Sequence, residues 1–187
     1  MRFLLAALFF LGPPFWEVKP PERWTSREID TVRHDSPWAE NVGPDPRVLV
    51  YLATAGPIED AEQEARLRTK DPLPEPDPDY LDYLREHRAE HFVLAIPDVT
   101  LDGLRKPGEE RLMEEETQMV VGGKTYRMIG HFPPTEADPV LRLVFPREAQ
   151  PSDKSVVFRL YLPGVTFPNR EIEFRIKDLM YHGKLAM

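Results

Sequence analysis

The chain has 187 residues, a formal net charge of −8 and no cysteine. The missing cysteine excludes disulfides, thiolate metal sites and cysteine nucleophiles. The acidic balance, with no run of lysine and arginine, argues against nucleic acid as a partner. Apolar residues at 41% and charged residues at 30% describe a globular chain with a core of its own. The 21 prolines, about twice the usual share, predict short elements and fixed connections.

Residues 1–14 read as a signal peptide or apolar leader. Arg2 supplies a minimal positive region, and Phe3 to Leu11 is an unbroken apolar run. Roughly 20 apolar residues are needed to cross a bilayer, so the run suits a signal sequence and not a stable transmembrane span. No A-x-A cleavage site follows, and Gly12-Pro13-Pro14 interrupts the run. The expectation is an exported protein, periplasmic or extracellular; the competing reading is an apolar terminus packed on the domain.

Residues 15–187 are expected to form one α+β domain. Thr25-Ser26-Arg27-Glu28 has the form of a capping box, predicting a short helix that ends near Asp35 because Pro37 disfavours helical geometry at Ser36. Arg47 to Thr54 is a β-rich run with apolar residues on both faces, which predicts a central, covered strand. Ile58 to Thr69 reads as a mostly solvated helix. Residues 71–79 alternate proline with acidic residues and predict an extended surface loop. Tyr80 to Ala89 follows as a short helix and Phe92 to Ile96 as a strand, and Glu109 to Glu116 is helical or irregular.

The Gly122-Gly123 pair between two β-rich runs predicts a hairpin. Strands are then expected at Val140–Phe145, Ser155–Leu162 and Glu171–Lys177, with a last short one from Lys184. In the third, Ile172, Phe174 and Ile176 share one face, and Glu171, Glu173, Arg175 and Lys177 the other, as the period of two requires. The predicted architecture is mainly an antiparallel β-sheet or small sandwich in the C-terminal half. Two or three short helices from the N-terminal half pack on it.

The sharpest chemical motif is His87-Arg88-Ala89-Glu90-His91, an H-x-x-E-H match. On a helix, His87 and His91 would share a face and hold Zn²⁺, with Glu90 activating a water. The predicted helix stops near Ala89, so the pair straddles a helix–strand junction, and a solvated helix end outweighs a metal site. Gly122-Gly123-Lys124-Thr125 imitates a phosphate loop but lacks the earlier glycine at Gln118 and a following helix, so the hairpin reading prevails. Glu114, Glu115 and Glu116 offer negative charge that could hold a cation but, without spaced turn ligands, read as a solvated face. His34, His131 and His182 stand alone in sequence, and Trp16, Trp24 and Trp38 read as core before ligand.

Two stretches carry a resemblance. One runs from Lys19-Pro20 through Trp24 and Glu28 to Ser36-Pro37-Trp38-Ala39. The other is Phe145-Pro146-Arg147 followed by Lys177-Asp178-Leu179-Met180-Tyr181-x-Gly183-Lys184-Leu185. Together they resemble a group of uncharacterised exported proteins of acidobacteria-type bacteria that has no assigned activity. The resemblance implies an exported protein with a β-rich C-terminal half and carries no site residue. The function expected is a non-catalytic binding or scaffolding role in the cell envelope, with no cofactor and with an envelope protein or ligand as partner. A zinc-dependent hydrolase using His87, Glu90 and His91 is the alternative.

Overall fold

The computed structural model describes residues 12–70 and 75–187. Residues 1–11 of the leader and Asp71–Pro74 of the acidic loop lie outside the described residues. The N-terminal part comprises α1 (Phe15–Val18), a 3₁₀ turn (Pro21–Arg23) and α2 (Ser26–His34). The Glu28 amide donates to Thr25 Oγ1 at 3.2 Å, and the Thr25 amide donates to Glu28 Oε2 at 2.8 Å, which closes the capping box. Lys19 Nζ lies 2.5 Å from Glu28 Oε1, and this bond holds the carboxyl below its ordinary range. Ile29 and Val32 form the buried stripe of α2.

Strands β1 (Ala39–Val42) and β2 (Val48–Leu52) follow, then helices α3 (Gly56–Arg68) and α4 (Pro78–His87), strand β3 (His91–Ile96), and helices α5 (Leu101–Leu104) and α6 (Glu109–Glu116). The hairpin β4 (Gln118–Val121) and β5 (Lys124–Arg127) leads to β6 (Gly130–Phe132), β7 (Leu141–Pro146), β8 (Ser155–Tyr161) and β9 (Asn169–Arg175). A 3₁₀ turn (Ile176–Asp178) and the small ribbon of β10 (Met180–Tyr181) and β11 (Lys184–Leu185) end the chain. All pairings are antiparallel. One sheet has the order β1-β2-β3-β7-β6 and the other β5-β4-β8-β9.

The two sheets face one another through a shared apolar core. From the first, Phe92 and Phe145 pair across β3 and β7; from the second, Phe158 and Phe174 pair diagonally across β8 and β9. The Phe158 ring meets Phe145 edge-on at 5.1 Å, Phe92 at 5.8 Å and Phe174 at 6.0 Å. Edge-to-face geometry at these separations is favourable beyond the area buried. β3 and β7 are buried on both faces, because Val93 and Val144 turn outward under Tyr80 of α4. β9 is an edge strand with one face buried and one exposed.

The chain is therefore α+β with a sheet-rich C-terminal half, as expected. The expected covered strand β2 joins the first sheet, and the sandwich reaches one strand further back than predicted, to β1. β1 and β6 are short edge strands and α1 and α5 single turns, too brief for any periodicity to mark them. The strand expected at Glu171–Lys177 begins at Asn169 and stops at Arg175, yet Ile176 in the next turn stays buried, so the inward set Ile172, Phe174 and Ile176 is complete. Gly122 and Gly123 both take positive φ, 57° and 75°, the backbone of a tight hairpin turn.

The two stretches that carry the sequence resemblance meet in space. Trp38 stands edge-on to Tyr181 at 6.1 Å and donates from Nε1 to the Ala186 carbonyl, while the Tyr181 hydroxyl donates to Asp60 Oδ2 at 2.9 Å. Arg147 donates to main-chain oxygens of Met187, Arg88 and His91. Trp24 and Trp38 are core residues, and Trp16 packs on Trp38 at the rim.

Phe174→Ala should cost about 3–5 kcal/mol in denaturant melting, whereas Glu173→Ala should be nearly silent; equal small losses would refute the register. Glu28→Gln keeps the cap but removes the charge that Lys19 favours. Since Glu28 has a lower pKa folded than unfolded, its contribution is present at neutral pH and lost as pH falls through the folded value. The melting-temperature deficit of the variant should therefore be largest near neutrality and vanish in acid.

Candidate functional site

The outer face of the first sheet is incompletely covered. In register, Tyr51 of β2, Ala95 of β3, Arg142 of β7 and Phe132 of β6 form one cross-strand row on this face. Helices α3 and α4 stand over it and leave a hollow of about 420 Å³, with Tyr51, Ala53, Tyr80, Leu84 and Arg142 in its lining. Leu67 and Leu81, among the few exposed large apolar side chains, lie on its wall. A smaller hollow of about 190 Å³ adjoins it, sharing Tyr51, Glu62, Arg66 and Arg142, and extends toward Arg33 and Asp138.

The polar centre of this groove is a buried ion pair. Arg142 Nη1 donates to Asp138 Oδ2 at 2.5 Å and Nη2 to Oδ1 at 3.1 Å, a bidentate contact with both side chains more than nine-tenths buried. Asp138 Oδ2 also accepts from the Asp77 amide at 2.8 Å, which ties the start of α4 to the pair. The Arg142 guanidinium sits 4.4 Å from the centre of the Tyr80 ring. Burial alone would lower the Arg142 pKa, but the bond and charge of Asp138 more than offset it, and the net direction is upward. Burial pushes the Tyr80 phenol up to about 12, and Tyr51 is raised by burial and then by Glu62. Glu62 itself accepts from Arg33 Nε at 2.8 Å. These groups can hold one polar end of a ligand whose body lies against apolar side chains.

The H-x-x-E-H motif falls at a helix–strand junction, as its sequence suggests. His87 is the last residue of α4, Glu90 lies exposed in the connecting turn, and His91 is the first residue of β3. The rings of His87 and His91 still come within 5.6 Å, centre to centre, with Tyr83 against both. His91 Nδ1 lies 2.6 Å from the Tyr83 hydroxyl, and His87 Nε2 lies 3.9 Å from Glu86. The two histidines are thus brought together by a bend and not by one helical face.

A different trio converges more closely. Glu110 and Glu114 of α6 and His131 of β6 place one candidate ligand atom each within 4.8 Å of one another. His34 pairs with Asp30 and His182 with Glu17, both at exposed positions. The Glu110–Glu114 spacing was legible in the sequence as i, i+4 on one helix face, but nothing there indicated that a strand would deliver His131 to it. Tyr51 and Arg142 carried no signal beyond their strand alternation. No protein-family model, curated protein or solved structure matches the chain.

Asp138→Ala leaves Arg142 buried without its carboxylate and should destabilise the protein by about 3–5 kcal/mol. The double replacement with Arg142→Ala should cost less than the sum of the two single changes in the same denaturant assay.

Proposed function

We propose that the protein is an exported, non-catalytic binding protein of the bacterial cell envelope, and that it holds a small, largely apolar ligand with one polar end in the outer groove. The observation that carries this reading is the groove itself. It is concave, of a volume usual for small-ligand sites and more apolar than polar in its exposed lining, with Tyr51 and Arg142 on the sheet side and Glu59, Glu62, Gln63 and Arg66 on α3. The ion pair with Asp138 holds the Arg142 guanidinium in place before any ligand arrives, so little side-chain ordering is added on binding. Support for export is the Arg2 and Phe3–Leu11 leader pattern. Among the described residues no helix is long and apolar enough to cross a membrane.

The apolar dye N-phenyl-1-naphthylamine is a suitable probe. Its fluorescence should rise saturably at one site per chain, and the signal should be lost in Ala53→Trp, which fills the hollow, and weakened in Leu81→Glu, which charges its wall. Phe167→Ala, at an exposed apolar residue away from the groove, should leave it unchanged. Non-saturating binding, or binding indifferent to both groove variants when circular dichroism shows them folded, would refute the site. Cell fractionation checks export; a purely cytoplasmic product would refute that part.

A further inference from the structure

We infer that Glu110, Glu114 and His131 form a binding site for a single Zn²⁺-like divalent cation, separate from the groove and from the His87–His91 pair. The three residues come from two elements. Glu110 and Glu114 lie four apart on one face of α6, and His131 projects from the edge strand β6 on the face opposite Phe132. Its ring is nearly buried, with 11% of the side chain exposed, and lies between the two carboxylates: Nε2 is 3.2 Å from Glu110 and Nδ1 is 3.7 Å from Glu114.

Two neighbouring carboxylates are already committed elsewhere. On the same helix Glu109 accepts from the Tyr161 hydroxyl and Glu115 pairs with Arg111. Among the described residues, the ion-pair partner of Glu110 and of Glu114 is His131 alone. Glu114 also sits in the last turn of α6, which carries no basic residue, at the end of a helix where the macrodipole disfavours a negative charge. Glu110 lies in the first turn, where the same macrodipole favours its charge, so Glu114 is the carboxylate of the two that the helix leaves unfavoured.

The donor set selects the kind of ion. Ligands of a tetrahedral centre with bonds of about 2.0–2.2 Å stand roughly 3.4 Å apart. The trio already lies within 4.8 Å, and the two glutamates are exposed, so their side chains have room to rotate toward that spacing. One imidazole nitrogen and two carboxylate oxygens suit Zn²⁺ with a water in the fourth position. Ca²⁺ would need six to eight oxygens, which these residues do not supply. Bound there, the ion would tie α6, which packs on β8, to the free edge of the first sheet.

The test uses the full chain stripped with a chelator and titrated with Zn²⁺ alone, read by calorimetry, metal analysis and thermal melting. One equivalent should bind and raise the melting temperature. Both effects should be lost in His131→Ala and reduced at least tenfold in affinity in Glu110→Gln and Glu114→Gln, the exposed changes that keep the fold. His87→Ala and His91→Ala should bind as the parent does. Absent stoichiometric Zn²⁺, binding that survives all three site variants, binding lost with His87 or His91, or an equal response to Ca²⁺ would overturn the assignment.

Discussion

The architecture depends on the contact between Phe158 and the rings of Phe92 and Phe145. Phe158 belongs to one sheet and Phe92 and Phe145 to the other, and both ring contacts that cross between the sheets among the four core phenylalanines are made by Phe158. Burying each phenylalanine is worth about 1.5–3 kcal/mol, and their edge-on arrangement sets how deeply the sheets interlock. Once the inner faces are joined, the polar residues of β8 and β9 must point away from the core. The remaining apolar residues of β3 and β7 are left on a second face that needs cover of its own.

That second face explains the N-terminal helices. Val93 and Val144 cannot be left to water, and Tyr80, Tyr83 and Leu84 of α4 cover them. Cover at the neighbouring position is polar: Arg142 occupies the row where an apolar residue would have continued the strand, and Asp138 and Tyr80 absorb its charge. Replacing such a pair with well-packed apolar residues often leaves stability unchanged or improved, whereas removing one partner alone is costly. Arg142 lies at the floor of the groove and Asp138 in the hollow beside it.

Alternation in β9, the double glycine of the hairpin and the Thr25–Glu28 cap were each legible because a local rule acts within a few residues. The same holds for β2, whose two apolar faces announced a covered strand. What could not be read depends on long-range pairing. Tyr51 and Arg142 become neighbours only when β2, β3 and β7 assemble in register, and His131 reaches α6 only through the placement of a three-residue edge strand. The motif at His87–His91 shows the converse. Its letters match a helical pattern, but the chain turns between Arg88 and Glu90, so the geometry the pattern requires on one helix is replaced by a bend.

The pairing of β7 has one more consequence. Leu143 lies opposite both Leu94 and His131, and Arg142 opposite both Ala95 and Phe132. A single strand therefore acts as the common ruler for the two faces. Sliding it by one residue would carry the Arg142 guanidinium among the phenylalanines and push Leu143 out toward α4. The groove and the carboxylate–imidazole trio stand on opposite sides of one sheet, yet neither can drift in alignment without the other.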